Sequence, residues 1–153
     1  MNSRRLRRKF LNLAVGELTA VMVFAYVYRQ YWHTNGPLSL GTTYAFLVLE
    51  FLLLQGSAYW ASWLVESRRA ERTAIVFGYR ILRVLNLLLI TLLPFVLLLK
   101  NFSSGLAIVL AIFALVEYIN YFVVRLAFPL TEFLNRLIRW RFPRSLLASE
   151  LKG

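Results

Sequence analysis

Apolar residues gather into four long stretches, at about residues 10–31, 41–65, 84–100 and 105–128, and the polar segments around them hold nearly every arginine. A hydrocarbon core roughly 30 Å thick takes about 20 helical residues at 1.5 Å each, and only helices or closed barrels satisfy their backbone there. These stretches are too long and too continuously apolar for barrel strands. The pattern therefore predicts an all-α fold, an integral membrane four-helix bundle, with residues 1–153 forming a single membrane domain. The first stretch has full spanning length, no small-residue cleavage site and an internal Glu17, so it is expected to be a span and not a signal peptide.

The connections carry their own signals. Asn35, Gly36 and Pro37 predict a compact turn within 32–40. Residues 66–83 mix Glu66, Glu71 and five arginines with Ile75, Val76, Phe77 and Tyr79, a composition that predicts an interfacial helix. Pro94 falls near the far end of the third span, and Asn101, Ser103, Ser104 and Gly105 predict a tight turn that makes spans three and four antiparallel neighbours. After Pro129, Leu130, Phe133, Leu134 and Leu137 follow i, i+3, i+4, i+7 spacing, so the tail, 130–151, reads as an amphipathic segment on the membrane surface, interrupted at Pro143. Its Arg136, Arg139, Trp140, Arg141 and Arg144 are candidates for docking lipid or a partner. Small residues four apart, Ser57 and Ala61, Ala58 and Ser62, and Gly16 and Ala20, offer places for close helix approach.

Charge fixes the expected orientation. The net charge of +11 comes from 18 lysines and arginines, and all but Arg29 and Lys100 fall on one side of the four spans. They sit at the N-terminus (Arg4, Arg5, Arg7, Arg8, Lys9), between spans two and three (Arg68, Arg69, Arg72, Arg80, Arg83) and after span four (Arg125, Arg136, Arg139, Arg141, Arg144, Lys152). The positive-inside rule then places both termini in the cytoplasm, and the basic groups face anionic headgroups and not nucleic acid. Tyr28, Tyr31, Trp32 and Tyr44 would anchor the outer boundary, and Tyr59, Trp60, Trp63 and Tyr79 the inner one.

Ionisable groups within spans are costly, so each is a candidate for function. Glu17 falls roughly 10 Å inside the cytoplasmic face by helical rise, with Glu117 and Gln55 at similar depth and Asn120 and Asn86 nearer that face. All four helices thus contribute to one expected polar cluster, Glu17, Gln55, Asn86, Glu117 and Asn120, with Arg80, Arg83 and Arg125 reaching in from the boundary. Such a cluster serves as an interhelical clamp, fixing geometry more than adding stability. Glu50 stands apart in the outer half with Thr91 at matching depth, a candidate proton or ligand site, expected either to be protonated or to pair with another subunit.

The stretch Glu117-Tyr118-Ile119-Asn120-Tyr121-Phe122, followed by Arg125 and the closing Leu147-Ala148-Ser149-Glu150-Leu151, resembles a group of small bacterial four-span membrane proteins with an EYINYF-like span and an LAxEL-like tail. The resemblance covers the last third of the chain and carries no activity. It implies a bacterial plasma-membrane protein in which Glu117, Asn120 and the tail act together.

Chemistry narrows the classes. There is no cysteine, and the one histidine, His33, falls in the loop after the first span. No histidine pair, metal-ligand spacing or activated serine is recognisable, so neither an enzyme nor a metal or other cofactor is expected. Two readings follow. The first is a non-catalytic protein acting by interaction, as an accessory subunit of a membrane complex or a homo-oligomer, in contact with lipid headgroups. The alternative is a small proton-coupled transporter using the intramembrane glutamates, although the halves show no inverted repeat.

Overall fold

The computed structural model describes residues 3–65, 68–98, 105–124 and 144–151. The fold is all-α, and among the described residues four helices are long and apolar enough to cross a membrane, over Leu6–Asn35, Leu40–Ser62, Thr73–Leu98 and Gly105–Phe122. They belong to α1 (Ser3–Asn35), α2 (Leu40–Ser62), α3 (Arg68–Leu98) and α4 (Gly105–Phe122), and a short α5 (Leu146–Glu150) follows.

The turn after α1 forms where the sequence places it. Gly36 adopts φ +77°, the left-handed conformation that a residue without Cβ takes at least cost, and its N–H donates to the Trp32 carbonyl at 2.9 Å. Ser39 then caps α2, its hydroxyl accepting from the Thr42 N–H at 3.2 Å. Contacts run antiparallel from there. Tyr28 near the end of α1 stacks on Phe46 near the start of α2 at 4.1 Å, and Phe10 near the start of α1 stacks on Trp63 just past the end of α2 at 5.2 Å. Along α3 the Tyr44 hydroxyl donates to the Leu89 carbonyl at 3.0 Å, and Gln55 meets Asn86. Phe24 of α1 meets Phe113 of α4 edge-on at 5.3 Å. The helices therefore alternate in direction, and α2 is the pillar, packing on α1, α3 and α4.

A pillar among helices is apolar around its whole circumference, and α2 fits that: Ala45, Leu49, Leu52 and Leu53 are buried in the core with Leu110 and Ala114 of α4. By contrast α1 and α3 turn Leu11, Val15, Met22 and Tyr26, and Val84, Leu88, Leu92 and Phe95, outward. Faces of this extent suit hydrocarbon and not water. Lipid tails are as apolar as leucine, so helix association here relies on close packing and interhelical hydrogen bonds.

Three expectations change. Residues 66–83 do not form a separate interfacial helix, and the third span does not begin at 84: from Arg68 the chain is one helix of 31 residues to Leu98. No proline interrupts it before Pro94, and Gly78 costs only about 1 kcal/mol relative to alanine. The helix of the fourth span ends at Phe122, where the Val123 and Val124 N–H groups both turn back to the Ile119 carbonyl, and 125–128 of the expected span lie outside the described residues. Of the amphipathic tail, 130–143 lies outside the described residues, but its last part is no surface strip. Leu147, Ala148 and Leu151 are buried in the bundle, and α5 packs on α4.

Candidate functional site

The residues expected in one polar cluster do not form one: they fall into two groups, one between α2 and α3 and one among α1, α2 and α4. On the α3 side, Gln55 and Asn86 exchange side-chain hydrogen bonds. Asn86 Nδ2 donates to Gln55 Oε1 at 2.7 Å and Gln55 Nε2 donates to Asn86 Oδ1 at 3.3 Å. Asn86 is 0 % exposed, and the Tyr79 hydroxyl bonds the Gln55 carbonyl at 2.8 Å. This group is self-satisfied, as buried amides in low dielectric require.

On the other side stand the carboxylates. Glu117 and Asn120 lie one helical turn apart on α4, and Asn120 Nδ2 donates to Glu117 Oε2 at 3.3 Å. Glu17 of α1 lies close enough to interact electrostatically with Glu117, and Tyr121 sits against both carboxylates. Tyr121 is 5 % exposed, and its buried hydroxyl makes no hydrogen bond of normal geometry. It occupies a notch in α2 that exists because residue 56 is glycine: a Cβ there would collide with the Tyr121 hydroxyl and ring. The peptide carbonyl of Tyr121 accepts from the Ser145 hydroxyl, whose oxygen also caps α5 by accepting from the Ala148 N–H at 2.9 Å. Tail, Tyr121 and carboxylates are thus mechanically joined.

A cavity of about 350 Å³ opens beside this group. Leu6, Phe10, Leu13 and Leu146 form its apolar wall, Lys9 and Arg144 supply positive charge, and Glu17, Asn120, Tyr121, Ser145 and Ser149 supply polar atoms. Trp60 completes it, with a buried indole N–H that has no acceptor.

Other residues fall elsewhere. Arg80 and Arg83 are exposed and join neither polar group, and Arg125 lies outside the described residues. Glu50 is buried against the bundle at 8 % exposure with Oε1 unpartnered. Thr91 does not face it: the Thr91 side chain is exposed and donates to the Leu87 carbonyl of its own helix at 2.7 Å. Arg136, Arg139, Trp140 and Arg141 lie outside the described residues, while Arg144 is exposed at the cavity. Several expected boundary anchors are core residues instead. Tyr59 is 1 % exposed and donates to Glu150 of α5 at 3.2 Å, and its ring packs edge-on to Trp60 and Tyr79. A tyrosine suits both places, since it pairs an apolar ring with one polar tip.

Sequence reasoning missed Gly56, Tyr121, Trp60 and Lys9 as members of one site. Tyr121 was within reach, since it follows Glu117 by four residues and so shares its helix face. Among the described residues, no group of three or more His, Cys, Asp or Glu side chains stands ready for a metal ion. What the arrangement offers is recognition: carboxylates paired with no lysine or arginine among the described residues, and donors, inside, with cations and an apolar wall around them.

These features define a class, a multi-pass membrane protein built as a four-helix bundle around α2. No protein-family model, curated protein or solved structure matches the chain.

Proposed function

We propose that this chain is a non-catalytic protein of the bacterial plasma membrane, with both termini in the cytoplasm. It acts by interaction, as an accessory subunit of a larger membrane complex or as a homo-oligomer, with lipid-headgroup contacts at its basic end. The observation that carries the reading is the cross-bonding of the bundle. The Gln55–Asn86 exchange and the Ser57 hydroxyl bond to the Ala14 carbonyl at 3.1 Å hold α2 to its neighbours, while the apolar faces of α1 and α3 remain uncovered. A rigid frame with two broad outward faces suits presentation to other membrane helices.

Native mass spectrometry after gentle extraction from the source membrane tests it. A stoichiometric larger protein, or a defined homo-oligomer, supports the reading, and a bare monomer refutes it. In the same preparation Glu117→Leu should lower assembly or abundance. The second reading, a proton-coupled transporter, draws on the neighbouring Glu17 and Glu117 carboxylates. It requires proton-coupled flux in proteoliposomes that disappears on Glu17→Gln or Glu50→Gln.

A further inference from the structure

We infer that the cavity between α1, α2, α4 and α5 binds the headgroup of a phospholipid that ends in a primary ammonium, a phosphoethanolamine type. The phosphate lies at Lys9 and Arg144 and the ammonium at Glu17. The inference rests on the lipid-contact part of the proposed function and not on the accessory-subunit part.

Four observations converge. First, the cavity volume of about 350 Å³ is at the small end of the range for small-molecule sites and fits a headgroup, not a whole lipid. Second, its charges are segregated. Lys9 and Glu17 lie on the same face of α1, separated by roughly 12 Å of helical rise that their side chains shorten. Arg144, which enters from the tail, stands with Lys9 among the lining residues. Third, no lysine or arginine among the described residues pairs with Glu17, although Glu117 stands beside it. Carboxylates in a water-poor layer are expensive unless a cation is supplied, and a ligand can supply it. Fourth, a polar hydrogen in the same lining, the Trp60 indole N–H, is buried without an acceptor. A group of this kind is normally satisfied in a folded protein, so a ligand with acceptor oxygens completes it.

The alternatives within lipid chemistry fit less well. A glycerol headgroup offers hydroxyl donors but no charge for Glu17. A choline headgroup offers charge but no N–H, and a carboxylate with a neighbouring tyrosine hydroxyl calls for directional donors, of which an ammonium has three. The apolar wall of Leu6, Phe10 and Leu13 on α1 gives an acyl chain a path along the helix to the bilayer.

The test is native mass spectrometry of the full chain, delipidated in detergent and titrated with dioleoyl phosphatidylethanolamine, phosphatidylglycerol or phosphatidylcholine. The expected result is a first adduct with phosphatidylethanolamine at about tenfold lower lipid concentration than with the other two, a difference of about 1.4 kcal/mol. Glu17→Gln should erase that preference while leaving a basal adduct with every lipid. Arg144→Ala should weaken phosphatidylethanolamine and phosphatidylglycerol together, and an unchanged circular dichroism melt should accompany both variants. Equal binding of the three lipids by the unaltered chain, or a preference that survives Glu17→Gln, overturns the headgroup assignment yet leaves general lipid contact standing. No retained lipid at all overturns both. Soluble glycerophosphoethanolamine is expected to compete only weakly, and competition equal to the lipid's would overturn the lipid as the source of the headgroup.

Discussion

Replacing Gly56 by alanine tests the packing that shapes the site. In an exposed helix interior this change gains about 1 kcal/mol of helix propensity. Here the new Cβ would overlap the Tyr121 hydroxyl and Cζ and approach Cε1 to 2.9 Å, and Tyr121 is 5 % exposed, so its ring has little room to swing away. Overpacking of this kind costs about 1–3 kcal/mol. The two effects leave a net loss of up to about 2 kcal/mol. In a Tyr121→Leu background the overlap is gone, and the same substitution should be neutral or stabilising by up to about 1 kcal/mol. The change of sign is the diagnostic, because Tyr121→Leu has its own cost and only the interaction between the two sites isolates the contact. Equilibrium unfolding of the four proteins in mixed detergent micelles, followed by far-ultraviolet circular dichroism, measures it. A coupling below about 0.5 kcal/mol, within the scatter expected of independent sites, would refute the notch between α2 and α4.

Three further outcomes follow from the same contacts. Asn86→Leu strands the buried Gln55 amide and should cost about 1–3 kcal/mol in the same unfolding assay, whereas Gln55→Leu with Asn86→Leu should recover most of it, since no polar group is then left without a partner. Ser145→Ala removes both the cap of α5 and the bond to the Tyr121 carbonyl, and should cost about 1–2 kcal/mol with faster proteolysis after residue 144. Tyr59→Phe loses its bond to Glu150, so hydrogen exchange over Leu146–Glu150 should speed up while the transmembrane helices stay protected, a global destabilisation of about 1 kcal/mol at most.

The spans were legible because membrane thickness dictates their length, and a run such as the one holding Leu47, Leu49, Leu52 and Leu54 cannot be a surface helix of a water-soluble domain. Helix faces were not, because in α2 the residues toward neighbours and toward lipid are equally apolar. Exposed Leu47, Phe51 and Leu54 alternate with buried Leu49, Leu52 and Leu53, and nothing in side-chain polarity separates them. The start of α3 was misread for a related reason: an interfacial helix and the first turns of a long spanning helix share one mixture of arginines and apolar residues. Tyr59 and Tyr79 were misplaced because a phenol serves a headgroup boundary and an interhelical hydrogen bond equally well. Gly56 was hidden because its role depends on Tyr121, 65 positions away on another helix.

The contrast between the two polar groups is the strongest guide to where function lies. Gln55 and Asn86 satisfy one another, and Tyr79 takes the remaining backbone carbonyl, so nothing there asks for a ligand. Glu17, Glu117 and Tyr121 lie at another face of α2, with carboxylates that no lysine or arginine among the described residues pairs. A chain that needed only a clamp would be served by a second amide pair, which satisfies itself at no electrostatic cost. Keeping two glutamates side by side, one of them lining a cavity, is costly in a membrane and is offset when something cationic enters. That asymmetry, more than any one contact, separates the frame of this protein from its site.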